Sequence, residues 1–585
     1  MRKITLLFKP FISVFICLLF VLIGKAQSTF PVNGIANPTN RAYAFTNATV
    51  VKNASEQIEN ATLLIRDKKI IAVGKNVEIP KDAVVIDCKG KYIYPSFIDI
   101  YSDYGIETPK RNSGFNRFAP AQLTSNSKGP VGWNQAMKPE INATELFEVN
   151  DKDAQKLRDA GFGTVLTHQK DGIARGTGTL VTLANQGENM VVLKEKASAQ
   201  YSFSKGTSTQ SYPTSLMGVI ALLRQTYLDA SWYKNNPAEE GKNISLEAWN
   251  NTQSLPQIFE ANDKWNCLRA NRIANEFGTK YILKAGGNEY QRIPEMAATK
   301  ATFILPLDFP KPMDVDDPND ARFVSLADME DWEMAPGNAA AFEEANINFC
   351  LTADELKDAK TFFANLHKSI DAGLSEKAAL EALTKNPAIA LNVYDEVGSI
   401  ETGKLANFII TNKPVFENGA IILQNWIQGE KYGVNEGDWN PVSATYDLVI
   451  TGENGKSDHY ILDVKSSKSA SIIKNDTLAT KFSYNGKMVQ INFSPVLPKK
   501  KAEKKTDTVV VIKDTSATKT NPDQINQQNI DSLPQVQKPA DDQLPENQRQ
   551  QGLKRVAGTT ELRGGNIGPS IHLSGVSNGN VWQGN

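Results

Sequence analysis

The chain has 585 residues, 41% of them hydrophobic and 22% charged, with a formal net charge of -1. That composition belongs to a globular protein and excludes a largely disordered or fibrous chain. The near-neutral charge gives no sign of a nucleic-acid partner or of general attraction to acidic lipid, and at roughly one domain per 150 residues the length allows three or four domains.

Residues 1–26 have the make-up of a secretory signal. Arg2 and Lys3 supply the positive start, and Phe11 to Gly24 form an apolar run too short for a comfortable membrane span. Gly24-Lys25-Ala26 offers a small-residue cleavage site, which puts the mature start at Gln27. The alternative is an uncleaved N-terminal anchor. Cys17 lies inside the apolar run and not after a cleavage box, which argues against a lipoprotein. The expectation is export to the periplasm or the cell exterior, with no later span. Cys88, Cys267 and Cys350 then remain, an odd and widely spaced set that fits small buried side chains better than a disulfide scaffold or a C-x-x-C zinc site.

From Ala42 to Val85 apolar and polar residues alternate between turn signals at Lys52-Asn53, Asp67-Lys68 and Lys89-Gly90, which predicts a small antiparallel sheet. Between Pro95 and about Asn392 the pattern changes to helix-then-strand units. In AQKLRDAGFGTVLTH and CLRANRIANEFGTKYILKA an amphipathic run meets a glycine and then a short apolar strand. Repeated units of this kind imply a parallel sheet covered by helices. SEKAALEALTKNPAIALNV is an amphipathic helix ended at Asn386-Pro387. Strands return in VGSIETGKLANFIITN and AIILQNWIQGEKYGV. A β module follows over 441–497, with hairpin turns at Glu453-Asn454-Gly455 and Asn485-Gly486. Residues 498–552 are rich in Lys, Gln, Asp, Pro and Thr and have the composition of a disordered linker. The β-rich tail, 553–585, stops where a returning strand is expected, so a truncated end is the expectation.

The run KYIYPSFIDIYSD resembles the segment by which members of the amidohydrolase superfamily, imidazolonepropionase-like enzymes among them, enter their barrel. That segment reads roughly G-x-x-x-x-P-G-x-I-D-x-H-x-H, and Gly90, Pro95, Ile98 and Asp99 match it. GSIETGKLANFII is similar to the family's return strand, with Asn407 where Asp is usual. The likeness runs from about Ala42 to about Gly433, and DGIARGTGTLVTL and YPTSLMGVIALLRQTYLDASWY resemble an exported bacterial subgroup. The resemblance implies an α/β fold: a (β/α)8 TIM-like barrel over 96–397 beside a small composite β-sandwich from 42–95 and 398–435.

It also implies a metal centre. Residues i and i+2 of a strand point to one face, so two histidines of an H-x-H can reach one ion. In the family, histidines of strands 5 and 6, a bridging carboxylate and a strand-8 aspartate complete a site for zinc or another divalent metal. The metal acidifies a bound water and the aspartate takes its proton. Here the strand-1 positions are Tyr101 and Asp103, on one face with Asp99. A phenol, with a pKa near 10, is a poor zinc ligand. The chain has only four histidines, and His168, at the end of GTVLTH, is the one placed for a barrel mouth. Glu260 and Asn262 stand where the strand-5 ligand is expected, and Gly286-Gly287 near the strand-6 position. INFCLTAD matches the strand-8 pattern, which makes Asp354 the catalytic candidate; the alternative is an N-cap for the helix that follows.

With the imidazoles missing, the expectation is an amidohydrolase relative impaired or inactive in C–N hydrolysis, with no resident metal, that binds or assembles with an intact homologue or with itself. One alternative is an active hydrolase using a reduced, carboxylate-rich site of Asp103, Glu260, Asp354 and His168. Another is an extracellular binding protein acting through the late β modules.

Overall fold

The computed structural model describes residues 42–110, 120–236, 241–440, most of 443–494, and 571–584 apart from 579–580. The signal and linker expectations fall outside the described residues. The described residues divide into two compact units, one up to Asn440 and one beyond it.

Five strands open the first unit: β1 (Tyr43–Asn53), β2 (Glu56–Arg66), β3 (Lys69–Gly74), β4 (Val84–Asp87) and β5 (Tyr92–Pro95). The β1-β2-β3 meander is antiparallel, as its alternation predicts. The expectation of a wholly antiparallel sheet is corrected, however, because β4 and β5 both run parallel to β1. The chain crosses over between β3 and β4 instead of turning back in a hairpin, and alternation alone carries no information about strand direction.

The barrel strands are β6 (Phe97–Ser102), β7 (Phe162–Thr167), β8 (Ala174–Thr182), β9 (Val192–Ser202), β10 (Gln257–Glu260), β11 (Tyr281–Lys284), β12 (Phe303–Pro306) and β13 (Phe349–Thr352). They form one sheet in sequence order, curled until β13 lies beside β6. Buried Asp99 joins those two edges. Its carboxylate accepts from Thr352 Oγ1 at 2.7 Å and from the Ala353 amide at 3.2 Å. Ile98, Ile100, Leu166, Leu180, Ala197, Ile258, Ile304 and Cys350 fill the interior.

The eightfold β/α repeat is broken at one place. β8 runs antiparallel to both β7 and β9. Only residues 168–173 connect β7 to β8, too few for the crossover of about a dozen residues that a parallel strand needs. Reversal delivers the first residues of β8, not its last, to the end of the barrel where the other strands finish. The hairpin also depends on Gly176, whose φ is +81° and where a Cβ would lie 2.0 Å from the Ile141 carbonyl oxygen.

After the barrel come β14 (Phe408–Thr411), β15 (Ile422–Ile427) and β16 (Glu430–Gly433). β14 pairs antiparallel with β5, so strands from both sides of the barrel complete one eight-stranded sheet. Its core holds Phe45, Ile93, Phe408 and Trp426, with Phe408 stacked on Trp426 at 5.8 Å.

The second unit holds β17 (Ala444–Thr451), β18 (Ser457–Ser466), β19 (Ser469–Ile473) and β20 (Thr477–Leu478) in one sheet. β21 (Thr480–Tyr484), β22 (Met488–Phe493), β23 (Ile571–Asn578) and β24 (Val581–Gly584) form another. The tail strand β23 pairs with β22 and with β24, so the tail finds its partners inside this sheet. Cys88, Cys267 and Cys350 are free and buried. No helix among the described residues is long and apolar enough to cross a membrane.

Candidate functional site at the barrel mouth

Six barrel strands send polar side chains to one end. Tyr101 comes from β6, His168 follows β7, Arg175 opens β8, Glu260 ends β10, Lys284 ends β11, and Asp354 follows β13. Lys170 joins them from the β7–β8 connection. Glu260 and Lys284 are register partners, so the two charges stand side by side.

The side chains pair among themselves. Arg175 is 4% exposed; its Nη1 donates to the Tyr101 hydroxyl at 3.0 Å and its Nη2 forms an ion pair with Glu260 at 2.5 Å. Its Nε donates to the Gly172 carbonyl at 3.1 Å. Asp354 is held by two ammonium groups, a direct hydrogen bond from Lys170 and Lys284 at 3.5 Å. Lys284 also donates to Asn262 Oδ1 at 3.0 Å. Lys170 and Lys284 lie 5.1 and 5.5 Å from the Tyr101 ring centre, so one phenol ring accepts two cations.

These contacts set the protonation states. Burial pushes the Glu260 carboxyl up, but Arg175, Asn262 and Lys284 together outweigh it and hold it below the ordinary value. Burial opposes the charge on Lys170, and Asp354 and Asp103 more than restore it. Burial carries the Tyr101 phenol well above its ordinary value, with Arg175 opposing. His168 is driven well below its ordinary value by burial and then by Arg175 and Lys170, so it is a neutral imidazole. It is fully buried against the Tyr101 ring at 4.8 Å, with both ring nitrogens lacking a hydrogen-bond partner in the protein.

Several sequence expectations are refined here. Asp99, Tyr101 and Asp103 do not share one regular strand face. The pairing of β6 with β7 slips between Asp99 and Ser102, and Tyr101 packs with the inward Ile98 and Ile100. Asp103 lies beyond the strand end, half-exposed, 3.7 Å from Lys170. The helix after β13 starts at Ala359 and is capped by Asp358, so Asp354 is not an N-cap. His367 lies on that helix. Lys170, Arg175 and Lys284 were not anticipated. A lysine ending the apolar strand YILK, and an arginine in a glycine-rich hairpin, are the available signals. Glu289 was also missed. Its buried carboxylate accepts from the Gly286 and Gly287 amides at 2.8 and 2.9 Å and fixes the turn after Lys284.

The donor set can be tested against a divalent metal. Such an ion needs several lone-pair donors converging on it. The mouth supplies a high-pKa phenol, one imidazole and three carboxylates that are already ion-paired, while three protein cations would repel it. Among the described residues no group of three or more His, Cys, Asp or Glu side chains comes together to hold an ion. The residues present do not fit the family's metal centre.

Residues 338–434 match the sequence profile of the Amidohydrolase family. The fold is that of a solved amidohydrolase from Thermotoga maritima, with a TM-score of 0.53 and 21% identity over 66% of this chain and 99% of that one. The family likeness in sequence is thus confined to residues 338–434, and the solved structure shares the fold. A dihydroorotase from Caldicellulosiruptor saccharolyticus is 39% identical over 101 residues, which is 16% of this chain and 23% of that enzyme, so the chain spans under a quarter of that curated relative. The profile match contains Asp354 and the return strands β14 to β16. The fold of that solved amidohydrolase is therefore present, while the mouth of this chain carries lysine and arginine among its carboxylates.

Proposed function

We propose that this amidohydrolase relative has exchanged its hydrolytic centre for an internal ion-pair network and works as an exported binding or assembly subunit. The carrying observation is the set of three cations, Lys170, Arg175 and Lys284, paired with Asp354, Glu260 and Asp103 at the C-terminal ends of the strands. A divalent metal brings positive charge to bind water and polarise a carbonyl. Here protein groups bring positive charge to the same end of the barrel, but an ammonium ion has no open coordination position. Asp354, the family's proton acceptor, is shared by two ammonium groups. An intact homologue, or a second copy of this chain, is the partner proposed.

The test is metal content and activity together. The purified chain, dialysed with zinc or manganese and then against buffer, is expected to retain less than stoichiometric metal by mass spectrometry and to leave a panel of cyclic amides and dipeptides unhydrolysed. Stoichiometric metal that is lost in Asp354→Ala, with hydrolysis lost alongside, would sink the reading and favour a carboxylate-rich hydrolase.

A further inference from the structure

A second cavity, of about 190 Å³, lies against the helix Leu216–Asn235 and is lined by residues remote in sequence from the mouth cluster. Trp232 and Asp229 of that helix line it, one turn apart, and Trp133 faces them from the long β6–β7 connection. Trp133 and Trp232 are 53% and 44% exposed. A scattered exposed aromatic is ordinary, but two indoles in the wall of one cavity leave apolar surface concentrated at a concave place. Trp133 is further held by stacking on Tyr212, with ring centres 6.1 Å apart and planes 16° apart.

The polar lining is already engaged. Asn134 donates to the Tyr212 carbonyl and accepts from the Ala136 amide. Asn243 Oδ1 caps the helix Ile244–Thr252 by accepting from Leu246. Ser245 accepts from the Gly132 amide and donates to Glu140, each at 2.8 Å. A sugar, which needs several hydrogen-bonding groups aimed at its hydroxyls, finds those groups used. An inorganic cation, which needs several oxygens, finds indoles. Asp229 is the only ionisable side chain in the lining; it accepts one hydrogen bond, from Gln225 Nε2 at 2.5 Å, and keeps its negative charge, while Glu140 sits behind Ser245. Indole faces beside a carboxylate suit a cation that is itself largely hydrocarbon.

We propose that this cavity binds an organic ammonium, a cationic nitrogen carrying alkyl groups, with Trp133 and Trp232 against the alkyl cation and Asp229 supplying the counter-charge. Its lining shares no residue with the barrel-mouth cluster.

The experiment is isothermal titration calorimetry of the full chain with choline chloride as the probe. Its neutral carbon isostere, 3,3-dimethylbutan-1-ol, and methyl glucoside are the controls. Choline is expected to bind at millimolar concentration, and the isostere at least about tenfold more weakly, the size of a partly desolvated cation–π contact. Trp232→Leu and Asp229→Asn should each weaken choline about five- to tenfold. Both are surface positions, and unchanged far-ultraviolet circular dichroism would show that they fold. No heat with choline would overturn the proposal, as would equal binding of the isostere. Preferential binding of the glucoside, or undiminished choline binding in both variants, would overturn it too.

Discussion

Replacing Glu260 by Gln removes one charge from the Arg175–Glu260 pair and leaves the rest of the mouth in place. Arg175 is 4% exposed, so its guanidinium would lose its nearest counter-charge while keeping only the Tyr101 hydroxyl at 3.0 Å and the Gly172 carbonyl at 3.1 Å. Breaking one side of a buried pair costs about 3–5 kcal/mol. Glu260 retains 17% side-chain exposure and Gln keeps an amide oxygen, so a loss smaller than that range, about 2–3 kcal/mol, is expected here. Guanidinium-induced unfolding followed by circular dichroism at neutral pH measures it. The double variant Arg175→Met/Glu260→Leu removes both charges for side chains of similar bulk, and should recover to within about 1 kcal/mol of the parent. A loss under about 0.5 kcal/mol in Glu260→Gln would show that the pair is idle. A double variant as damaged as the sum of the singles would show that the cluster is not a self-contained network.

Other perturbations follow from the same geometry. Gly176→Ala should cost more than about 2 kcal/mol, because φ is +81° and the new Cβ would meet the Ile141 carbonyl at 2.0 Å; unfolding midpoints measure it, and a cost within error would refute the reversed-strand hairpin. Asp171 is pushed up by burial but held below its ordinary value by Lys138 and Thr207. Its stabilisation is therefore present above the unfolded carboxyl pKa of about 3.9 and is lost as pH falls through the lower folded value. Stability measured from pH 6 to pH 3 should fall more steeply in the parent than in Asp171→Asn. Tyr101→His/Asp103→His rebuilds the H-x-H spacing yet should not give stoichiometric zinc, because Lys170 and Lys284 remain; adding Lys170→Ala and Lys284→His should raise zinc uptake in equilibrium dialysis. Full zinc binding by the first pair alone would show that the cations do not oppose metal.

The outer architecture was legible because its signals are local. The alternation of β1 to β3, and the helix-glycine-strand units before β7 and β11, all lie within a window of about fifteen residues. The reversal of β8 was not legible in the same way. GIARGTGTLVTL has an ordinary strand composition, and only the shortness of 168–173 excludes a crossover. The site was partly legible. Tyr101, Asp103 and Glu260 announced themselves as departures from an expected pattern, and Asp354 as agreement with one. Lys284 and Arg175 did not, because a lone basic residue at a strand end is normally solvated. Their role arises only when five strand ends and one reversed strand converge, and no sequence window contains that convergence. The slip beside Asp99 was hidden for a similar reason: spacing two residues apart predicts a shared face only while the ladder is regular.

The proposed exchange of metal for protein cations has a physical logic that links the substitutions. A barrel mouth that loses imidazoles but keeps carboxylates holds buried negative charge with no counter-ion, which is costly. Asp354 and Glu260 could remain only if positive groups arrived with them, and the structure supplies one or two for each: Lys170 and Lys284 for Asp354, Arg175 for Glu260. Arg175 reaches the mouth because β8 is reversed, so the topological departure and the charge compensation are one feature. The same reasoning makes reversal to a metal site steep. Adding a ligand while a lysine stays places two cations in one pocket, and removing a lysine before a metal binds leaves a bare carboxylate. Each single step passes through a destabilised mouth, which is why the substitutions are expected to act together and their energies not to add.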